Sequence, residues 1–110
     1  FLNRRSPMEN FRTLNLAMSF YQECEKIKFK NYVLKNQFER ATLSILLNLA
    51  EGAGRITEND KRKFYSIALG SLKEVQCLLL ILKEHDKLKN SQHLNASLIN
   101  LVRNPGSLKY

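Results

Sequence analysis

The chain has 110 residues, 44% of them hydrophobic, with eighteen Lys and Arg against ten Asp and Glu for a formal charge of +8. That length buries one modest core and excludes two, and the positive balance favours an acidic partner such as nucleic acid. The longest apolar run, residues 43–50, is too short to cross a bilayer and the start lacks a signal peptide's apolar segment, so a cytoplasmic protein with no membrane partner is expected.

Residues 1–7, FLNRRSP, stand before Met8 and read as a leader, which leaves residues 8–110 as a single domain. Phe11, Leu14, Met18 and Tyr21 form one ridge and Ala17, Phe20, Cys24 and Ile27 the next, so an amphipathic first helix is expected over residues 9–29. After the short connection KNY, a second helix is expected over residues 34–53, stopped where Gly52 and Gly54 can adopt left-handed conformations. Thr57 follows as an N-cap with Asp60 three residues on, as in a capping box.

From there Phe64, Ala68, Ser71, Val75, Leu78 and Leu82 recur at the spacing of a helix seam and carry a third helix to about Asp86. Within it Ala68, Gly70 and Ser71 place small side chains where close approach by another helix is expected to offset the helix penalty of glycine. KLKNSQ, residues 87–92, reads as a turn. Leu94, Leu98, Leu101 and Val102 make a short fourth helix before Asn104-Pro105-Gly106 ends it. Four helices with short connections and no strand-like alternation predict an all-α, antiparallel up-down four-helix bundle with a short fourth helix.

The second helix carries a pattern of its own. At about 100° per residue, Gln37, Arg40, Ser44, Asn48, Glu51 and Arg55 fall within an arc of roughly 80°. The rest of its circumference is apolar, more than one face of a small bundle needs, so one face is expected in the monomer core and another against a second subunit. The stripe itself has two readings: a hydrogen-bonded structural seam completed by Ser71 and Glu74 of the third helix, or a polar groove for RNA.

QFERATLSILLNLAEGAGR followed by FYSIALGSLKEVQ resembles the four-helix bundle proteins of 23S rRNA intervening sequences, a family related to the accessory variability determinants of diversity-generating retroelements. The letters that carry the likeness are Gln37, Arg40, Ala41, Ser44, Ile45, Asn48, Ala50, Glu51, Gly52 and Arg55, then Phe64, Ala68, Gly70, Ser71 and Glu74. The resemblance implies a homo-oligomer, typically a pentamer, without enzymatic activity. In the retroelement branch it implies association with nucleic acid and a scaffold or accessory role for a partner enzyme, a reverse transcriptase.

Candidate RNA or DNA contacts are the two densest basic segments, Lys26, Lys28, Lys30 and Lys35, and Arg55, Lys61, Arg62 and Lys63. Both lie near helix ends, so in a ring of subunits they are expected to repeat as a basic rim, although nearby acids make a merely solvated surface the alternative. Phe29, Tyr32 and Tyr65 interleave with these segments as stacking aromatics do, or serve packing. His85 and His93 lack a metal-ligand spacing, and no nucleophile motif or phosphate loop appears, so neither a metal, a cofactor nor an enzyme is expected. Cys24 and Cys77 read as free thiols.

Overall fold

A computed structural model describes residues 11–107, so the leader assigned to residues 1–7 lies outside the described residues. Four α-helices account for the fold: α1, Arg12–Cys24; α2, Tyr32–Ala53; α3, Glu58–Ile81; and α4, His85–Arg103. Each helix packs against its two neighbours in chain order, α4 closes back onto α1, and the diagonal pairs stay apart. The direction of packing is antiparallel throughout. Thr13 meets Ser97 while Glu23 meets Asn90, and Ser44 meets Ser71 while Gly52 meets Tyr65. Gln76 meets Ser91 while Arg62 reaches Val102.

The second ridge of α1 and the apolar positions of α4 enter the core as expected, whereas Met18 of the first ridge is exposed and the buried line of α3 runs through Tyr65, Leu72 and Leu79 beside Ala68 and Val75, leaving Phe64 and Leu82 half-buried. Ala17, Phe20 and Cys24 from α1 meet Phe38, Ile45 and Leu49 from α2, Leu72, Val75 and Leu79 from α3, and Leu94, Leu98 and Leu101 from α4, all buried. By length and composition α3 would suffice to cross a bilayer, a property the residues 43–50 run does not reveal. Here its buried stripe from Tyr65 to Leu79 lies between α2 and α4, as the core helix of a bundle does.

Three boundaries differ from the sequence reading. First, α1 ends at Cys24, and short turns from Lys26 N to Glu23 O and from Ile27 N to Cys24 O fold the chain back. This return buries Ile27 and sets Phe29 against Phe38, ring centres 5.4 Å apart, which a continuous helix would not allow. The side chain of Asn31 then accepts from Leu34 N and starts α2 two residues before the expected position.

Second, α3 stops at Ile81, and α4 is not short: it begins at His85 and runs for 19 residues, longer than the 13 of α1. The stop is a Schellman motif, with Glu84 N bonded to Leu79 O at 3.0 Å and Lys83 N to Leu80 O at 3.1 Å. Its left-handed position is filled by Lys83, φ 59°, where glycine would have announced the turn. The polar letters of KLKNSQ are helical; Ser91 turns inward and accepts from Gln76 of α3.

Third, no described glycine adopts positive φ, so α2 is not ended by left-handed glycines. Gly54 keeps φ −84°, and the last carbonyls of α2, those of Gly52 and Ala53, accept the Lys61 ammonium at 3.4 and 3.0 Å. Thr57 caps α3 as expected, its hydroxyl accepting from Asp60 N at 3.1 Å.

Candidate nucleic-acid interface

The up-down topology sends the α1–α2 and α3–α4 connections to one end of the bundle and the α2–α3 connection to the other. The two basic segments therefore occupy opposite ends of a molecule 45 Å long and do not form one rim within the subunit.

At the α2–α3 end the cations are structurally engaged. Lys61 caps α2, and Arg62 donates from Nε to Val102 O at 3.0 Å, capping α4, and from Nη1 to Asn59 Oδ1 at 3.4 Å. Both cations sit at the negative poles of helix dipoles, where they satisfy carbonyls that have no intrahelical partner. Arg55 lies beyond α2, 3.5 Å from Glu51 and over the ring of Phe64 at 4.6 Å. Lys63 is exposed and has no ion pair among the described residues.

At the other end Lys26, Lys28, Lys30 and Lys35 are all exposed, with no ion pair among the described residues. The start of α4 stands beside them: Asn90 donates to Glu23 at 2.7 Å, and Lys87 and Glu84 lie close enough to Cys24 to act on its thiol. Lys83 and Lys89, both exposed, thus join this end. Lys83 and Lys89 fall in a stretch whose letters suggest a helix end and a turn; only the up-down order of the helices brings them to the end that carries Lys26 to Lys35.

The stripe on α2 faces α3. Arg40 donates to the Glu74 carboxylate and to Gln37 Oε1, the latter at 3.1 Å from Nη2. Ser44 and Ser71 share a hydroxyl hydrogen bond of 2.8 Å, and Asn48 donates to Ser44 O at 2.9 Å and Ser44 Oγ at 3.1 Å. Glu51 turns to Arg55 instead. The seam is thus satisfied across α2 and α3, and its guanidinium is already held by a carboxylate. Beside it stand exposed Leu43 and Leu47 on α2 and exposed Ile67, Gly70, Cys77 and Ile81 on α3, at helical spacings from Arg40 and Glu74.

Of the small residues on α3, Ala68 and Ser71 are buried against neighbouring helices, whereas a Cβ on Gly70 would meet nothing within 4 Å. The close approach expected at Gly70 is therefore absent within the subunit and occurs at Gly52, where a Cβ would stand 2.5 Å from Tyr65 Cε1. The aromatics divide likewise. Tyr65 is buried, edge-on to Phe11, and burial raises its phenol above the ordinary value. Phe29 is committed to Phe38, while Tyr32 is 74% exposed. Burial, aided by Glu23, pushes the Cys24 thiol up to about 12; Cys77 is exposed. Among the described residues no group of three His, Cys, Asp or Glu is placed to hold a metal ion.

A family model described as 23S rRNA-intervening sequence protein matches residues 9–103 of the chain. No curated protein and no solved structure matches it.

Proposed function

Because the chain belongs to the 23S rRNA-intervening sequence protein family, we propose that it is a non-enzymatic, homo-oligomeric bundle, in keeping with the pentamer its resemblance implies, that associates with RNA or DNA. The observation that carries the nucleic-acid reading is the convergence of Lys26, Lys28, Lys30 and Lys35 with Lys83 and Lys89 on one end, their head groups facing solvent. Phosphate contacts by exposed lysines give affinity without sequence readout and bind more weakly as salt rises. Lys61 and Arg62 contribute less than their sequence suggests, because helix carbonyls hold them.

Assembly is supported by the apolar shoulders of the polar seam. Leu47 is 58% and Ile81 56% exposed, and Leu43 and Ile67 also remain in solvent. An apolar band on two adjacent helices of so small a bundle fits burial against another subunit. A partner enzyme such as a reverse transcriptase seated on the same band is the alternative reading.

Light scattering of the purified chain, with and without a structured rRNA fragment at low and high salt, tests both parts. The expected result is an oligomer that gains RNA mass at low salt only, that becomes monomeric with Leu47→Asp, and that loses RNA with Lys26→Glu, Lys28→Glu and Lys30→Glu combined. A monomer that takes up no RNA at any salt would refute the proposal; a monomer that still binds RNA would leave the band to a different protein.

A further inference from the structure

Four large apolar side chains gather at the lysine-rich end. Tyr32 and Val33 open α2, Leu80 and Ile81 close α3, and each is more than half exposed. Val33 stands two turns before Arg40 and Ile81 two turns after Glu74, so the Arg40–Glu74 pairing, carried along two antiparallel helices, sets Val33 beside Ile81. Tyr32 and Leu80, one residue and about 100° further round each helix, extend the pair on either side. Lys30 stands two residues before Tyr32 and Lys83 two residues after Ile81. Over residues 23–35 and 80–90 seven lysines stand against four acids, a net +3.

Attraction to phosphate accounts for the lysines and not for the apolar cluster. Tyr32 has a ring on which a base can stack, but Val33, Leu80 and Ile81 have no π-face. Being more than half exposed, they stand out from the helix ends rather than line a groove, which disfavours a partner helix seated between walls. A second copy docked end to end would set lysines against lysines. Aliphatic side chains at the tip of a fold, with ammonium groups around them, match the boundary of an anionic phospholipid leaflet. There aliphatic groups enter the acyl region, tyrosine sits among the headgroups and lysines meet the lipid anions. A short apolar run rules out a span, whereas contact at headgroup depth needs none.

We propose that this end docks on an anionic phospholipid membrane, with Val33, Leu80 and Ile81 inserted at the acyl boundary, Tyr32 at the headgroups, and Lys28, Lys30, Lys35 and Lys83 facing the anionic lipids. Membrane docking shares lysines with the nucleic-acid reading but not these apolar side chains, so either can fail without the other.

The chain has no tryptophan, so Val33→Trp provides a single reporter. The full chain with that substitution is titrated with phosphatidylcholine vesicles, with vesicles that also contain phosphatidylserine, and with a structured rRNA fragment. Expected are a blue shift of emission and quenching by brominated acyl chains with the phosphatidylserine vesicles at low salt, little of either with phosphatidylcholine alone, and no blue shift with RNA. In cosedimentation, Val33→Ser combined with Leu80→Ser, both at exposed positions, should weaken binding to the phosphatidylserine vesicles about tenfold, the effect of withdrawing two partly inserted aliphatic side chains, and leave RNA affinity within about twofold. Lys30→Glu should weaken vesicle binding by at least about fivefold. Vesicle binding without a blue shift, or undiminished in the serine variant, would reduce the contact to charge alone and overturn the proposal, as would no vesicle binding at low salt. A blue shift with RNA and not with vesicles would overturn it and give the cluster to nucleic acid.

Discussion

Alanine at Gly52 and alanine at Gly70 should move stability in opposite directions. At Gly70, in the middle of α3, the replacement removes backbone freedom from a helix interior, a gain of about 1 kcal/mol when nothing else changes; at Gly52, one residue before the end of α2, the gain is smaller. At Gly70 nothing lies within 4 Å of the new methyl, so the full gain is expected, with Tm rising about 4 °C for a domain of this size. At Gly52 the methyl would stand 2.5 Å from Tyr65 Cε1, 2.8 Å from Cδ1 and 3.2 Å from Phe64 Cβ. Tyr65 is 3% exposed with Phe11 against its ring edge, so it has no open space to swing into, and α2 must move off α3. Overpacking of this kind costs roughly 1–3 kcal/mol. Set against the helix gain, and with the contact far inside van der Waals distance, the expected net loss is about 1–2 kcal/mol, a fall in Tm of about 4–8 °C. Urea denaturation followed by far-ultraviolet circular dichroism measures both, with solution mass checked in the same buffer because assembly adds to apparent stability. Gly52→Ala at or above wild-type stability would refute the view that Tyr65 is wedged against this backbone. If α3 presents Gly70 to a second subunit, Gly70→Ala should stabilise the dilute monomer and weaken the oligomer.

Lys83→Gly should raise stability by about 0.5–1 kcal/mol, since a left-handed lysine is strained by roughly 1–2 kcal/mol and glycine gives back part of that in chain entropy; an unchanged urea midpoint would contradict the Schellman stop. Arg62→Gln should cost about 1 kcal/mol by uncapping α4 while leaving RNA affinity within twofold; a large loss of RNA binding would return Arg62 to the interface. Asn48→Leu should cost less than about 1 kcal/mol, because Ser44 keeps its bond to Ser71 when the amide is gone; a larger loss in urea titration would show the seam to be more tightly coupled. Stability should also fall with alkali. The folded chain holds the Cys24 proton to about pH 12, whereas the unfolded thiol ionises near 9.0, so the folded state is favoured fully below pH 9 and loses up to about 1.4 kcal/mol per pH unit above it. Cys24→Ala should flatten that slope, and a slope unaltered in the variant would assign it elsewhere.

The sequence by itself determined the helices and their inward faces. Apolar residues at helical spacing place Ala17, Phe20, Ala68, Val75, Leu94 and Leu98 on inward faces, and the Thr57 cap is a local bond between residues three apart. It also placed the polar letters of α2 on one side, because helical periodicity alone groups Arg40, Ser44 and Asn48. The stops were less legible. The turn at Lys83 comes where Leu79 and Leu82 pack into the core, so a residue without a turn signature takes the left-handed position. The role of each charged side chain was decided only by tertiary structure. Lys61 and Lys28 are equivalent as letters, but one meets the open carbonyls at the end of α2 and the other meets water. Lys26 and Lys89 are 63 positions apart and share an end because four antiparallel helices return alternate connections to the same side. Periodicity acts within a helix and fixes which face is buried; partners come from the neighbouring helix, whose register only packing sets.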